Sequence, residues 1–337
     1  MVWSEGSMQT GTRSSKGGSG EAPRHVPVLA REVVELFGAL PTELQSGWIV
    51  DGTLGLGGHS ELLLQSLPAV RVLGFDQDED ALAIARARLE PFGSRVRLER
   101  ARMSELVERV PAANVEPIAG FLFDVGVSSL QLDAGERGFS FQHDGPLDMR
   151  MDRRRERDAA SIVNTWDESD LADLFYYEGE ETKARVVARV IVEARRRAPF
   201  RRTLPLADLI ANAIGRGANP KLHPATRVFQ ALRRAVNEEG DELLEGLSAA
   251  EQRLAAGGRL VVISFHSLED AEVKARLLEG AARGLWNVLT KKPVGPERDE
   301  VRSNPRSRSA RLRAAERTAV PFDAVPAPRR ASQGGRP

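Results

Sequence analysis

With 337 residues, 41% of them hydrophobic, the chain is long enough to bury a large core in one big domain or two smaller ones. It contains no cysteine, which removes disulfides, thiolate zinc sites and every cysteine nucleophile, and no metal site is expected. Basic and acidic residues balance at 48 each, and no apolar run reaches the ~18 residues that cross a bilayer, so a cytoplasmic protein without membrane contact is expected.

The first 24 residues are rich in Gly, Ser and charge and lack an apolar stretch; they read as a disordered tail, not a signal peptide. From Trp48 short apolar runs alternate with helical patterns. Trp48-Ile49-Val50 ends at Asp51, Val70 to Phe75 ends at Asp76, Val96-Arg97-Leu98 is a third run, and Ile118 to Phe123 ends at Asp124. Leu260 to Ile263 follows Gly257-Gly258. Between them lie helical patterns such as 80–89, with Leu82, Ala85 and Leu89 at helical spacing. This alternation predicts βαβ units, and hence a parallel sheet with helices on both faces.

The alternation stops after Asp124. Over 133–237 no strand pattern is found, and helices are expected near 167–175, 183–195 and 206–214, joined by Pro- and Gly-bearing stretches at 197–205 and 215–224. A long helix over 225–255, with a break near Gly240, leads back to the sheet, and 286–289 and 310–314 supply closing strands. Residues 319–337, rich in Pro, Ala and Arg, read as a second disordered tail. The expected organisation is an α/β, Rossmann-like domain formed by 25–132 and 237–318, with a helical insertion at 133–236 between the fourth and fifth strands.

The neutral total hides a segregation. Residues 183–234 carry thirteen Lys and Arg against two acids, Glu193 and Asp208, and residues 291–337 carry twelve against five. Such asymmetry argues for a polyanionic partner, with solvated helical faces as the alternative. Arg195, Arg196 and Arg197 with Arg201 and Arg202 look like a phosphate-contacting surface, or else a solvated helix end.

The strongest local signal is Asp51-Gly52-Thr53-Leu54-Gly55-Leu56-Gly57-Gly58-His59, after a strand and opening a helix. Glycines there allow a tight turn and a ligand close to the backbone. Asp76 ends the next strand, where an acid accepts from both ribose hydroxyls of an adenosine cofactor. A dinucleotide fingerprint would need a third glycine where Ser60 stands, and no phosphate loop of the G-x-x-x-x-G-K-[ST] type is present. S-adenosylmethionine has no phosphate to cradle, and Asp51 suits its amino group or sulfonium; in the plainer reading Asp51 only caps the turn.

Several stretches then converge. They are Asp51-Gly52-Thr53 with Gly55 and Gly57-Gly58-His59-Ser60, and Asp124-Val125-Gly126-Val127-Ser128-Ser129-Leu130-Gln131-Leu132-Asp133. Glu136-Arg137-Gly138-Phe139-Ser140-Phe141 runs into Asp144-Gly145-Pro146-Leu147-Asp148-Met149-Arg150-Met151-Asp152. His223-Pro224-Ala225-Thr226-Arg227, Ser264-Phe265-His266-Ser267-Leu268-Glu269-Asp270 and Asn304-Pro305-Arg306-Ser307-Arg308-Ser309 complete the set. Together these resemble the bacterial 16S ribosomal RNA (cytosine-N4)-methyltransferase family, known as RsmH or MraW, over residues 25–317. The resemblance implies a class I methyltransferase sheet with a helical recognition insert, S-adenosylmethionine as cofactor, and a decoding-centre cytidine of the small ribosomal subunit as substrate. It implies cofactor contacts at Gly57, Gly58, His59, Asp76, Asp124 and Gln131. Met103 stands where the family usually has an aromatic residue near the adenine, and a thioether also covers a ring. A homodimer is compatible with the sequence.

The absence of cysteine bears on the chemistry. Methylation of a pyrimidine at carbon 5 normally needs a cysteine adduct at carbon 6, whereas the exocyclic N4 needs none. Its lone pair is delocalised into the ring, so a site must accept its amino hydrogens and align it with the methyl–sulfur bond. The acceptors belong after the fourth strand, where many amino-methyltransferases carry Asp/Asn/Ser-Pro-Pro-aromatic and this chain has Asp124-Val125-Gly126-Val127. Asp124 with the turn backbone is the first candidate, then Ser128, then His266. Asp124 as a pure cofactor ligand and His266 as an ordering residue remain open. Phe139 and Phe141 either stack on a splayed base or pack inside the insert. The competing classes are a nucleotide-dependent oxidoreductase, which Ser60 disfavours, and an RNA-binding assembly factor without activity.

Overall fold

The computed structural model describes residues 27–215 and 223–324. The expected tail at 1–24, residues 216–222 of the second connecting stretch and the C-terminal tail beyond 324 lie outside the described residues. Seven strands form one sheet: β1 (Trp48–Asp51), β2 (Arg71–Asp76), β3 (Val96–Arg100), β4 (Ile118–Asp124), β5 (Arg259–Ser264), β6 (Trp286–Val288) and β7 (Arg311–Arg317), in the order β3-β2-β1-β4-β5-β7-β6. β1 to β5 pair in parallel and β7 runs antiparallel to both its neighbours. β1 is buried along its whole length and β4 all but its last residue. Strands covered on both faces need no polar alternation, which is why they read as continuous apolar runs.

The helices are, in order, α1 (Ala30–Gly38), α2 (Gly58–Ser66), α3 (Glu79–Leu89), α4 (Leu106–Ala112), α5 (Ser129–Asp133), α6 (Ala159–Thr165), α7 (Glu168–Tyr177), α8 (Ala184–Arg195), α9 (Thr203–Ile214), α10 (Thr226–Asn237), α11 (Glu239–Arg253), α12 (Ser267–Ala282) and α13 (Arg298–Ser303). On one face of the sheet Phe121 and Phe123 pack with Leu243 and Leu247 of α11; on the other, Ile49, Leu122 and Ile263 pack with Val33 and Phe37 of α1. The sheet order reverses between β1 and β4, so the crevice beyond Asp51 and Asp124 is the position at which open α/β sheets bind ligands.

The stretch from β4 to β5 folds as helices around a core of its own, with Leu147, Ile162, Phe175, Val187, Ile210 and Leu232 at its centre. The three helices expected there are α7, α8 and α9. α6 is an addition to them: it is short, and it begins with a capping box in which Ser161 N donates to Asp158 Oδ1 at 2.7 Å and Asp158 N donates to Ser161 Oγ at 3.2 Å. The long helix expected over 225–255 is two, α10 and α11. The break falls at Glu238, at φ 54°, and not at Gly240, which lies inside α11. The Glu238 carboxylate pairs with Arg102 at 2.8 Å and Arg155 at 2.5 Å, so tertiary ion pairs hold the kink. Residues 319–324 are described, and Phe322 packs beside the Arg283 guanidinium.

Buried polar contacts tie the insert to the sheet and fasten its own segments together. Arg137, 4% exposed, pairs with Asp78 at 2.9 Å, and Arg100 pairs with Asp152 at 3.0 Å. Asn237 is fully buried; its Oδ1 accepts from Met151 N at 2.8 Å and its Nδ2 donates to Met149 O at 2.8 Å and Arg233 O at 2.9 Å. Among the described residues no helix is long and apolar enough to cross a membrane.

Candidate active site

The turn after β1 is built from the inside. Asp51 is 2% exposed; its Oδ2 accepts from Ser60 Oγ at 2.6 Å and its Oδ1 from Thr53 N at 3.3 Å, and burial pushes its carboxyl up to about 6. It holds the turn from behind and is not among the cavity-lining residues, and both of these contacts are those of a turn cap. Gly57 caps α2 at φ 77°, and a Cβ there would stand 3.2 Å from Leu89 Cδ1. It too lies off the cavity, packed against α3. Gly57→Ala should therefore lower folding stability by about 1–3 kcal/mol, the cost of a non-glycine left-handed residue. Urea denaturation without cofactor is the measurement, and an unchanged midpoint would contradict it.

In front of the turn lies a cavity of about 700 Å³, at the upper end of the range for small-molecule pockets. Gly52, Thr53, Leu54, Gly55, Leu56, Gly58 and His59 line one wall; Asp76 and Gln77 follow from β2, and Ala101, Arg102 and Met103 from the end of β3. Asp124 to Ser128 and Gln131 line it after β4. The same cavity continues between Phe139, Phe141, His223, Phe229, Gln230 and Arg233 of the insert, and past Asn237, Glu239, Glu242, His266 and Glu269.

Three carboxyls mark the strand ends. Asp76 Oδ2 accepts from Gly55 N at 2.7 Å and its Oδ1 from Asp78 N at 2.8 Å; burial pushes it up to about 6 although these N–H groups oppose the rise. Asp124 N donates to Thr53 Oγ1 at 2.5 Å. Its Oδ2 lies 3.5 Å from His59 Nδ1, while its Oδ1 is buried and has no hydrogen-bond partner among the described residues. Burial, then the Glu269 charge, pushes Asp124 up to about 7. His59 is held from the far side, its Nε2 2.8 Å from Val28 O.

The remaining candidates have local duties. Ser128 caps α5: its Oγ accepts from Gln131 N at 3.3 Å, and Gln131 Oε1 accepts from Ser128 N at 3.0 Å. Gln131 Nε2 also donates to Asp78 Oδ2 at 2.8 Å. His266 caps α12, its Nδ1 accepting from Glu269 N at 3.3 Å and its Nε2 lying 2.8 Å from Glu269 Oε1. Burial works against charge on Glu269, yet His266, Arg233 and the Phe265 N–H hold its carboxyl below the usual range. Phe141 packs against His223 and Phe229 at ring distances of 4.7 and 4.8 Å, so the aromatic wall is both packed and cavity-facing.

The arginine cluster lies away from the cavity. Arg196, Arg197 and Arg201 are exposed, Arg202 pairs with Asp144, and Arg195 Nη1 donates to Val163 O at 2.8 Å. Two cations counted with it point elsewhere. Arg233 pairs with Glu239 at 2.8 Å, and Arg234, 3% exposed, pairs with Glu178 at 2.8 Å and approaches His266 Nε2 at 3.2 Å. A charge count treats such inward-facing arginines as surface. Asn237, Glu239 and Glu242 line the cavity without any sequence signal, since a helix-to-helix junction carries no recognisable pattern.

The donor set fits S-adenosylmethionine. Asp76 would offer a carboxylate to ribose hydroxyls, Ala101 and Met103 apolar surface to a purine, Gly55 and Gly58 a side-chain-free wall, and the Asp124 carboxylate an acceptor to cationic or amino groups. The MraW methylase family model matches residues 22–318. A relative in Synechococcus elongatus, "Ribosomal RNA small subunit methyltransferase H", is 50% identical over 300 residues, covering 87% of this chain and 94% of its own. Proteins of the same name in Geotalea uraniireducens (47% over 311 residues; 87% and 98% covered) and Thermobifida fusca (47% over 316; 89% and 95%) are similarly close. Among solved structures, a SAM-dependent O-methyltransferase from Thermotoga maritima aligns over 88% of this chain and 68% of its own at 10% identity and TM-score 0.40. The chain belongs to the MraW methylase family, and S-adenosylmethionine is its methyl donor.

Proposed function

We propose that the protein methylates the exocyclic N4 of a decoding-centre cytidine in small-subunit ribosomal RNA. The observation that carries this reading is the Asp124 carboxylate, on the wall of a cavity that runs on from the glycine turn to the aromatic side chains of the insert. An amine whose lone pair is delocalised needs an acceptor for its hydrogens at the transfer point, and a base needs a face to lie against. The relatives named as small-subunit methyltransferases support the RNA class. The lack of cysteine argues against carbon-5 chemistry. The donor supplies a methyl group on a sulfonium; the chain's part is to hold the amine, accept its hydrogens and exclude water.

The test is mass mapping of modified nucleosides in small-subunit RNA from a deletion strain. N4-methylcytidine lost from one decoding-centre position, and restored by the wild-type gene, is expected. An unchanged RNA would overturn the substrate, and purified protein that binds small subunits from that strain but transfers no methyl group to them would identify an assembly factor acting without catalysis.

The insert is proposed to hold the RNA. Replacing Arg195, Arg196, Arg197, Arg201 and Arg202 with Ser should weaken RNA binding and flatten its salt dependence, by roughly 0.7–0.9 in log–log slope for each phosphate no longer neutralised. Cofactor affinity should hardly change, because none of the five lines the cavity. A folded quintuple variant with the wild-type slope would show a solvated surface, and attention would pass to Arg306, which lines the cavity and pairs with Asp133 at 2.6 Å.

A further inference from the structure

His59 stands between a backbone carbonyl and a carboxylate, and the two contacts fix its state. Val28 O can only accept, so the ring nitrogen 2.8 Å away, Nε2, carries the hydrogen. Burial keeps the ring from taking a second proton. Nδ1 then presents a lone pair to Asp124 Oδ2 at 3.5 Å. Two acceptors face each other, and the arrangement gains a favourable contact only when a proton enters between them. The charged groups acting on the pair are themselves carboxyls: Asp51 and Glu300 on His59, and Glu269 on Asp124. The other Asp124 oxygen, Oδ1, is unpartnered on a cavity-lining residue.

We propose that His59 is a positioning residue for methyl transfer: its Nδ1 lone pair makes the Asp124 carboxylate the acceptor of the proton that the target amine loses. This rests on the cytosine-N4 reading above. In the step, the N4 lone pair forms the new N–C bond and the methyl–sulfur electron pair stays on sulfur. One N–H bond of N4 breaks, its electrons return to nitrogen, and its proton passes to the Asp124 carboxylate, whose hydroxyl then turns to Nδ1. The positive charge lost from the sulfonium is matched by the negative charge lost from the carboxylate.

Two substitutions separate this role from anchoring. In His59→Gln the amide reaches the former place of Nε2 and keeps Val28, but leaves nothing opposite Asp124. In His59→Asn the amide occupies the place of Nδ1 and abandons Val28. Single-turnover transfer to small subunits from a deletion strain should fall by about tenfold or more in His59→Gln, a larger loss than any in cofactor affinity. The rising limb of its pH–rate profile should move about one unit acid, because the carboxyl has lost its stabilised protonated form. His59→Asn should keep the wild-type limb and more of the rate. A purely anchoring histidine would reverse that order. Independently of turnover, ¹⁵N NMR of the cofactor-free protein should show His59 neutral with hydrogen on Nε2, and its Nδ1 signal should move in Asp124→Asn. Hydrogen on Nδ1, or a His59→Gln variant with the wild-type rate and limb, would overturn the proposal. A wild-type protein that methylates another atom would instead overturn the cytosine-N4 reading and leave the tautomer result standing.

Discussion

Asp124→Asn should slow single-turnover methyl transfer by roughly a hundredfold, with cofactor affinity changing by less than about tenfold. The substitution keeps the shape of the side chain, removes its charge and replaces one acceptor by a donor. In the wild-type protein Oδ1 has no partner and burial raises the carboxyl to about 7, so kcat/KM should rise with pH through that value as the acceptor ionises. In the complex a cofactor cation favours the carboxylate, and the limb in kcat should lie lower. The Asn variant should show neither limb. Equal losses of affinity and rate would make Asp124 a cofactor ligand only. The same shift has a sign for stability. A carboxyl raised above its unfolded value contributes stability below about pH 4, lost as pH rises through about 7. Asp124→Asn should therefore gain stability over wild type at pH 8 relative to pH 4, as urea titrations would show.

Asp76→Ala should weaken S-adenosylmethionine binding by on the order of a hundredfold or more, through removal of two charge-assisted hydrogen bonds worth about 1.5–3 kcal/mol each. The carboxyl also accepts from Gly55 N and Asp78 N, so its removal strands two backbone donors and loosens the turn. Asp76→Asn keeps one oxygen and should be milder. Because Asp76 is raised to about 6, affinity should fall as pH drops below that value. Calorimetry giving wild-type affinity for Asp76→Ala would remove the residue from the cofactor site.

The strand ends are readable because each apolar run stops at a carboxylate, and a parallel strand leaves its last residue at the crevice. Asp51, Asp76 and Asp124 all follow from that pattern, yet only the latter two line the cavity. Sequence cannot say which way a short side chain turns at the end of a strand; Ser60 decides it for Asp51. The kink at Glu238 lies two residues before the glycine that the sequence points to. Glycine is the usual local reason for a break, whereas Arg102 and Arg155 supply a non-local one. His59 is expected at the cofactor only through resemblance; its partners Val28 and Asp124 come from elements that no spacing rule links.

The separate core of the insert bears on how the chain assembles. β4 and β5 are neighbours in the sheet, with Gly120 opposite Arg259, but a domain's length of chain lies between them. Contacts of such separation form late. The entropy of closing the loop grows only slowly with its length, and a loop that has already collapsed on itself brings its ends together. Asn237, clasping Met149 and Met151, ties the two flanks of that loop to each other. The half-sheet β3-β2-β1-β4 is synthesised first, and until β5 follows the helical insert β4 presents one edge of a seven-residue, nearly all-apolar strand. An open edge of that kind pairs readily with another chain. Slowing the collapse of the insert should therefore surface first as aggregation of nascent protein, well before any loss of methyl transfer by the folded fraction.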